Sequence, residues 1–343
     1  MGYKNKYLII ITGLIVVFFL LSCEQTKPSR FESVLGTVCV ITLYEQGYDR
    51  IYNDIFSRIK EIEDLMSVNI QSSDISRINA AAGIEAVQVH ADTFKVIQRA
   101  VFFAEASDGV FDPTIGPLVS LWDIGENPRI PSQHEIEDIL PLINWRNIKL
   151  DTQTNSVFLK YMGMALDLGA IAKGFAADEA AKIAKTNGIT AAILDLGGDI
   201  VILGEKKDKS PWRVGIQSPH EVQNTPIGFV QITDKLATVV TSGIYQRFFE
   251  AHGKHYHHIF SPSNGYPVDN DLLSVTVISD ISMDADALST AIFVLGYEKG
   301  MALLELFPKA EAIFIFKDNN IKTTAGTNFI LTDTGFVVRS NIF

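Results

Sequence analysis

The chain has 343 residues, 47% of them hydrophobic, enough to bury a full core in one large domain or two modest ones. Its formal net charge of −11 argues against a nucleic-acid partner, whose phosphates it would repel. The same acidity suits an anionic substrate only where a metal ion supplies the missing positive charge.

At the N-terminus Lys4 and Lys6 precede an apolar run, Tyr7 to Leu21, that ends in Leu20-Leu21-Ser22-Cys23. Basic, apolar, small residue and cysteine, in that order, form a secretory signal of the lipoprotein type. Residues 1–22 are therefore expected to be removed and Cys23 acylated, and the alternative is an N-terminal anchor that is never cleaved. Cleavage takes away two lysines and no acid, which moves the charge from −11 to −13. The expected location is the periplasmic side of a bacterial membrane, held there by lipid. Cys39 then has no partner in the chain, and a buried strand thiol is its expected role.

Residues 23–30 make a polar tether, and 31–343 contain no repeat, linker or internal run apolar enough to span a membrane. Val34 to Tyr44, rich in Val, Ile and Thr, predicts a strand with Leu35-Gly36-Thr37 near its start. Ile51, Ile55, Ile59, Ile62 and Leu65 predict an amphipathic helix over 48–66. An irregular link through Met66-Ser67-Val68-Asn69 and 73–79 leads to a second helix, which starts near Asp92 and stops at Ser107-Asp108-Gly109. Val110 to Leu118, with two prolines and two glycines, is too apolar for a solvent loop and is expected to wall a pocket. An excursion over 120–145 with one short helix precedes a hairpin of 148–150 and 157–160.

The apolar run Tyr161 to Leu166 is expected to be a strand feeding Asp167-Leu168-Gly169-Ala170-Ile171-Ala172-Lys173-Gly174, where a helix opens and runs to Gly188. Such a helix start, with Asp167 and Lys173 beside it, can take an anion such as phosphate. The plain alternative is a strand–helix corner with a surface lysine. Strands follow at 191–194, 200–203, 212–217, 228–232, 237–242, 257–260 and 274–278, then a helix over 284–296, another ending near Phe307, and closing strands. The expected fold is one α+β domain of mixed, mostly antiparallel sheets flanked by helices.

Asp286 and Thr290 are four apart and share a helix face, offering the hard oxygens that Mg²⁺ prefers. Asp284 or Asp286 could instead cap the helix. His252, His255, His257 and His258 match no closed zinc spacing. On a strand His257 and His258 face opposite ways, and His258, leading into the turn-rich loop 261–267, is expected to be the pocket residue; the plain reading is a buried histidine.

These segments, in this order, resemble the ApbE-type flavin transferases, the FAD:protein FMN transferases. The matching pieces are Leu35-Gly36-Thr37, Met66-Ser67, Phe111 to Leu118, Asp167 to Gly174, Leu196-Gly197-Gly198-Asp199, His258-Ile259 with Pro262 and Gly265, and Ala285 to Thr290. The resemblance implies Mg²⁺-dependent transfer of FMN from FAD, as substrate, to a threonine hydroxyl of a target protein, with AMP released. It further implies targets among subunits of membrane redox complexes. By likeness, the Ala170 carbonyl, Asp286 and Thr290, with Ser289 alongside, would bind the metal. Leu35, Asn69, Val110, Phe111, Asp112, Asp167, Lys173 and Phe260 would hold FAD, and His258 or an acidic neighbour would take the threonine proton. Two positions depart from the family pattern: Asn69 stands where an aromatic residue is usual, and Ser261 where aspartate is. Loss of the aromatic stack suggests that water competes with threonine, so that FAD is also hydrolysed to FMN and AMP. The rival readings are a flavin-binding lipoprotein without catalysis and a purely structural one.

Overall fold

The computed structural model describes residues 29–45, 49–220, 225–233 and 236–339. The signal segment, Cys23 and the tether up to residue 28 lie outside the described residues. Nine strands form one sheet whose spatial order follows the chain. They are β1 (Ser29–Val34), β2 (Thr37–Leu43), β3 (Ala191–Leu196), β4 (Asp199–Gly204), β5 (Leu236–Gly243), β6 (Leu272–Ser279), β7 (Glu311–Phe316), β8 (Asn320–Thr323) and β9 (Val337–Val338). Every neighbouring pair is antiparallel except β8 with β9.

Eight α-helices lie among the described residues: α1 (Asp49–Met66), α2 (Asp74–Ala80), α3 (Ala91–Ala106), α4 (Gly116–Trp122), α5 (Gln133–Ile139), α6 (Ala172–Thr186), α7 (Ser282–Leu295) and α8 (Tyr297–Leu304). The main core joins one face of the sheet (Ile41, Val240, Val275, Phe314) to α1, α3, α6 and α7 through Ile55, Ile97, Phe175 and Leu288. A three-stranded sheet of 212–217, 226–232 and 329–331 covers the opposite face, burying Trp212, Val214 and Val230 against Val239 and Ile313. The fold is α+β and mostly antiparallel, as the strand-rich pattern predicts.

Local departures from the predicted elements have local causes. The single strand predicted over 34–44 is a hairpin, because Leu35 and Gly36 both take positive φ (58° and 66°) and turn the chain. This also puts Ser29 and Arg30 in β1, inside the expected tether. The irregular link holds α2, whose first turn is capped by the Ser73 hydroxyl accepting from Ser76 N. The run 161–166 is not a strand; only Ala165 bridges, to Ile115. The strand predicted at 257–260 ends at His257 instead, pairing with Phe248–Ala251.

Helix α7 is buried almost throughout, so each of its polar side chains needs an internal partner. Its N-terminus is capped from α6: the Asp178 carboxylate accepts from Ser282 N (2.8 Å) and Met283 N (2.9 Å). Asp284 pairs with Arg99 at 2.6 Å and is neither cap nor cavity group. The two helices touch at Gly174, where an added Cβ would lie 2.3 Å from Ser282 O, a backbone atom. Gly174→Ala is therefore expected to destabilise the fold by about 1–3 kcal/mol despite alanine's better helix propensity. Denaturant unfolding checks this; an unchanged midpoint would mean that α6 and α7 are not in contact there.

Candidate functional site

The end of the sheet where β3 turns into β4 opens on a cavity of about 1380 Å³. Its walls come from the β1–β2 turn, the loop 110–115, the corner 167–173, the Gly197-Gly198 turn, the segment 245–247, His258 to Phe260, and α7. The sequence-selected residues Leu35, Asn69, Val110, Phe111, Asp112, Asp167, Ala170, Lys173, His258, Phe260, Asp286 and Thr290 all line it. Segments far apart in the chain thus meet at one place.

Each wall is held by identifiable bonds. The β1–β2 turn is fixed by Leu35 N donating to Glu63 Oε1 of α1 at 2.7 Å. Asp112 is buried and accepts from Thr114 N (2.8 Å), Thr114 Oγ1 (2.6 Å) and Trp145 N (3.0 Å), so its carboxylate is committed to shaping the loop. Asp167 N donates to Pro113 O (2.9 Å) and its Oδ1 accepts from Gly169 N (2.7 Å), which ties the corner to that loop. Burial holds the Asp167 carboxyl above the usual carboxylate range. Phe260 packs against Trp122 at 5.7 Å, and Trp122 Nε1 donates to Gly265 O, fixing the following loop.

The helix start expected to await an external anion already holds an internal one. Gly174 N, in the first turn of α6, donates to Asp286 Oδ2 at 3.1 Å. Lys173 Nζ lies 3.6 Å from Asp286 Oδ1 and donates to both oxygens of Asp199 at 3.0 Å. Asp199 is 2% exposed and lies behind Lys173, outside the cavity lining. Burial and the negative charge of Asp286 push its carboxyl up, while the two carboxylates keep Lys173 protonated against its own burial. Pushed up to about 8, Asp199 holds a proton at neutral pH, so the Lys173 charge is balanced chiefly by Asp286.

Thr290 Oγ1 lies one turn along α7 from Asp286, sharing a hydrogen bond with Ser242 Oγ (3.0 Å). Ser289 departs from expectation. It is fully buried and outside the cavity lining, its hydroxyl donating to Asp286 O (3.0 Å) and sharing a bond with Ser242 Oγ (2.8 Å). In this arrangement its hydroxyl braces the helix behind Asp286. Among the described residues no three His, Cys, Asp or Glu side chains gather as a metal centre. The Asp286 carboxylate and the Thr290 hydroxyl, with Ala170 on the same cavity, are hard oxygen donors that fit a Mg²⁺ ion keeping waters and taking substrate phosphate as its remaining ligands.

The histidines divide as the strand geometry predicts. His257 is buried: its Nε2–H donates to Val268 O (2.9 Å) and its Nδ1 accepts from Ile259 N (3.2 Å), so it is structural. His258 faces the cavity, with Nδ1 3.1 Å from Arg247 O. A carbonyl only accepts, so Nδ1 carries the proton and Nε2 keeps its lone pair. Burial, with help from the Arg247, His257 and Lys173 charges, pushes His258 down to about 4. The imidazole is therefore unprotonated at neutral pH and Nε2 is open to accept a proton, as a weaker base than an ordinary histidine.

Asp199 and Arg247 escaped selection from the sequence. Asp199 closes the quoted Leu196-Gly197-Gly198-Asp199 motif, but its partner Lys173 is 26 residues away. Arg247 sits in a turn with no local signal. Cys39 is a buried strand thiol as expected, pushed up to about 12 by burial.

The ApbE family model matches residues 35–314. An FAD:protein FMN transferase of Treponema pallidum is 38% identical over 316 residues, covering 87% of each chain. One of Klebsiella pneumoniae is 39% identical over 308 residues, covering 89% of this chain and 95% of its own. The crystal structure of the ApbE protein from Thermotoga maritima superposes with a TM-score of 0.79 at 34% identity, covering 88% of this chain and 97% of that one. The flavin transferase ApbE from Vibrio cholerae gives 0.73 at 27% identity, covering 90% and 97%.

Proposed function

The chain belongs to the ApbE family, and from that premise we propose that it is an FAD:protein FMN transferase acting on threonine hydroxyls. The observation that carries this reading is the meeting of Asp286, the 167–174 corner and the free Nε2 of His258 on one cavity. Asp286, Thr290 and the Ala170 carbonyl would hold Mg²⁺. When bound, that ion neutralises pyrophosphate charge and improves the leaving group. Leu35, Val110, Phe111, Asp167 and Phe260 enclose FAD, and Lys173 keeps a positive charge at the phosphate end. His258 Nε2 takes the proton as threonine Oγ bonds to the FMN phosphorus. The bond from that phosphorus to the bridging oxygen breaks, and its electron pair leaves with AMP.

In-gel flavin fluorescence on a denatured threonine-containing acceptor tests this. The signal is expected with FAD and Mg²⁺, lost with chelator and restored by Mg²⁺; label that survives chelation counts against the metal. Membrane redox-complex subunits are the acceptor class proposed. Cleavage before Cys23, acylation there and a periplasmic, membrane-held location belong to the same proposal.

Asn69 favours a second activity. It lies exposed on the cavity wall, where it supplies no ring for a flavin or adenine to stack on. FAD hydrolysis is the expected consequence: AMP released with Mg²⁺ but no acceptor, and suppressed in Asn69→Tyr. Nucleotide chromatography reads this directly, and purified protein that releases no AMP without acceptor rules the activity out.

A further inference from the structure

We propose that Arg247 is the residue that grips the phosphate of the flavin nucleotide, separating phosphate recognition from ring recognition within the cavity. The inference rests on the transferase reading above and adds a binding residue to it. Most other arginines are taken by carboxylates, such as Arg58 by Glu179 at 2.9 Å, Arg99 by Asp284 at 2.6 Å and Arg129 by Glu135 at 2.8 Å. Arg213 lies over the Phe229 ring and Arg339 bonds Asn320, both outside the cavity lining. Arg247 is different. It lines the cavity, is exposed, and has no carboxylate at ion-pair distance among the described residues. Its side chain reaches over the β1–β2 turn, where Nη2 donates only a long hydrogen bond, 3.4 Å, to Gly36 O. A Cβ at position 36 would sit 3.7 Å from the same nitrogen, an ordinary contact, so the glycine serves the positive φ of the turn and the guanidinium rests against it.

The guanidinium is thus a fork of donors held over the cavity with most of its hydrogen-bonding capacity unspent. A planar fork matches the paired oxygens of a phosphate better than a lysine ammonium does. Lys173, the other cation on the wall, is already engaged by Asp199 and Asp286. Arg247 also supplies, through its own carbonyl, the acceptor that fixes the His258 tautomer. The guanidinium charge is also felt at His258, which it helps to keep unprotonated, so a phosphate gripped by Arg247 lies on the same side of the cavity as that base.

The test compares ligands with and without phosphate. Dissociation constants of FAD and riboflavin are measured by flavin fluorescence for wild type, Arg247→Gln and Arg247→Lys, with circular dichroism confirming the fold. Loss of a charged hydrogen-bonding group predicts FAD binding weakened at least about tenfold in Arg247→Gln, and less in Arg247→Lys. Riboflavin binding should stay within about twofold, because its affinity contains no phosphate contribution. Equal weakening of both ligands, or of neither, overturns the assignment while leaving the transferase reading intact. Wild-type protein that fails to bind FAD overturns both.

Discussion

Asp286→Ala is expected to lower FMN transfer by on the order of 10³-fold, the equivalent of several kcal/mol of lost transition-state stabilisation. The side chain serves two structures at once. Its Oδ2 accepts from Gly174 N and caps the first turn of α6, while Oδ1 faces Lys173 on the cavity wall. Removing it deletes the carboxylate that would hold Mg²⁺ and frees Lys173 to settle wholly on Asp199. Asp286→Asn separates the two duties, since an amide oxygen still accepts from Gly174 N but carries no charge. The asparagine variant should therefore unfold near the wild-type midpoint yet transfer almost as poorly as alanine. Mn²⁺ binding followed by electron paramagnetic resonance gives a reading independent of turnover. Transfer at the wild-type rate in either variant would leave a passive flavin-binding role for this wall of the cavity.

His258→Ala should cost between about 10² and 10⁴ in rate if the imidazole is the general base. The pH dependence is the sharper check. Ordinary histidine titrates near 6.5, but His258 is pushed down to about 4. The lone-pair form is the active one, so activity is expected to hold from neutral pH down to about pH 5. It should then fall as the ring takes a proton near 4. A limb at the ordinary histidine value that persists in His258→Ala would mean that another group accepts the proton. His257→Gln serves as the contrast: His257 bonds Val268 and Ile259 inside the fold and should affect stability more than the pH profile.

Much of this site was legible in the sequence because its signals are local. Ile51, Ile55, Ile59 and Ile62 recur with helical period and α1 forms as their spacing predicts, all four buried. Asp286 and Thr290 stand one turn apart, and both reach the cavity. Adjacent His257 and His258 turn opposite ways, one to the core and one to the ligand space. What escaped notice depends on contacts distant in the chain. The cap of α7 comes from Asp178, 104 residues before the Ser282 amide it receives. Ser289, placed with the metal ligands by likeness to the family, bonds Ser242 on β5, a contact 47 residues away that no local pattern shows. The run before Asp167 is apolar without being a strand: Tyr161 and Met162 are exposed, Met164 and Leu166 enter the core, and Ala165 and Asp167 bond the loop around Pro113, which periodicity does not register.

The most direct test is the mass of the acceptor after incubation with purified protein, FAD and Mg²⁺, taken together with the AMP formed. The expected acceptor is heavier by one FMN residue on a single threonine, matched mole for mole by AMP arising from transfer. Neither product should form above background in Asp286→Ala. An acceptor whose mass never changes while FAD is consumed, or flavin attached with no AMP released, would contradict the transferase reading.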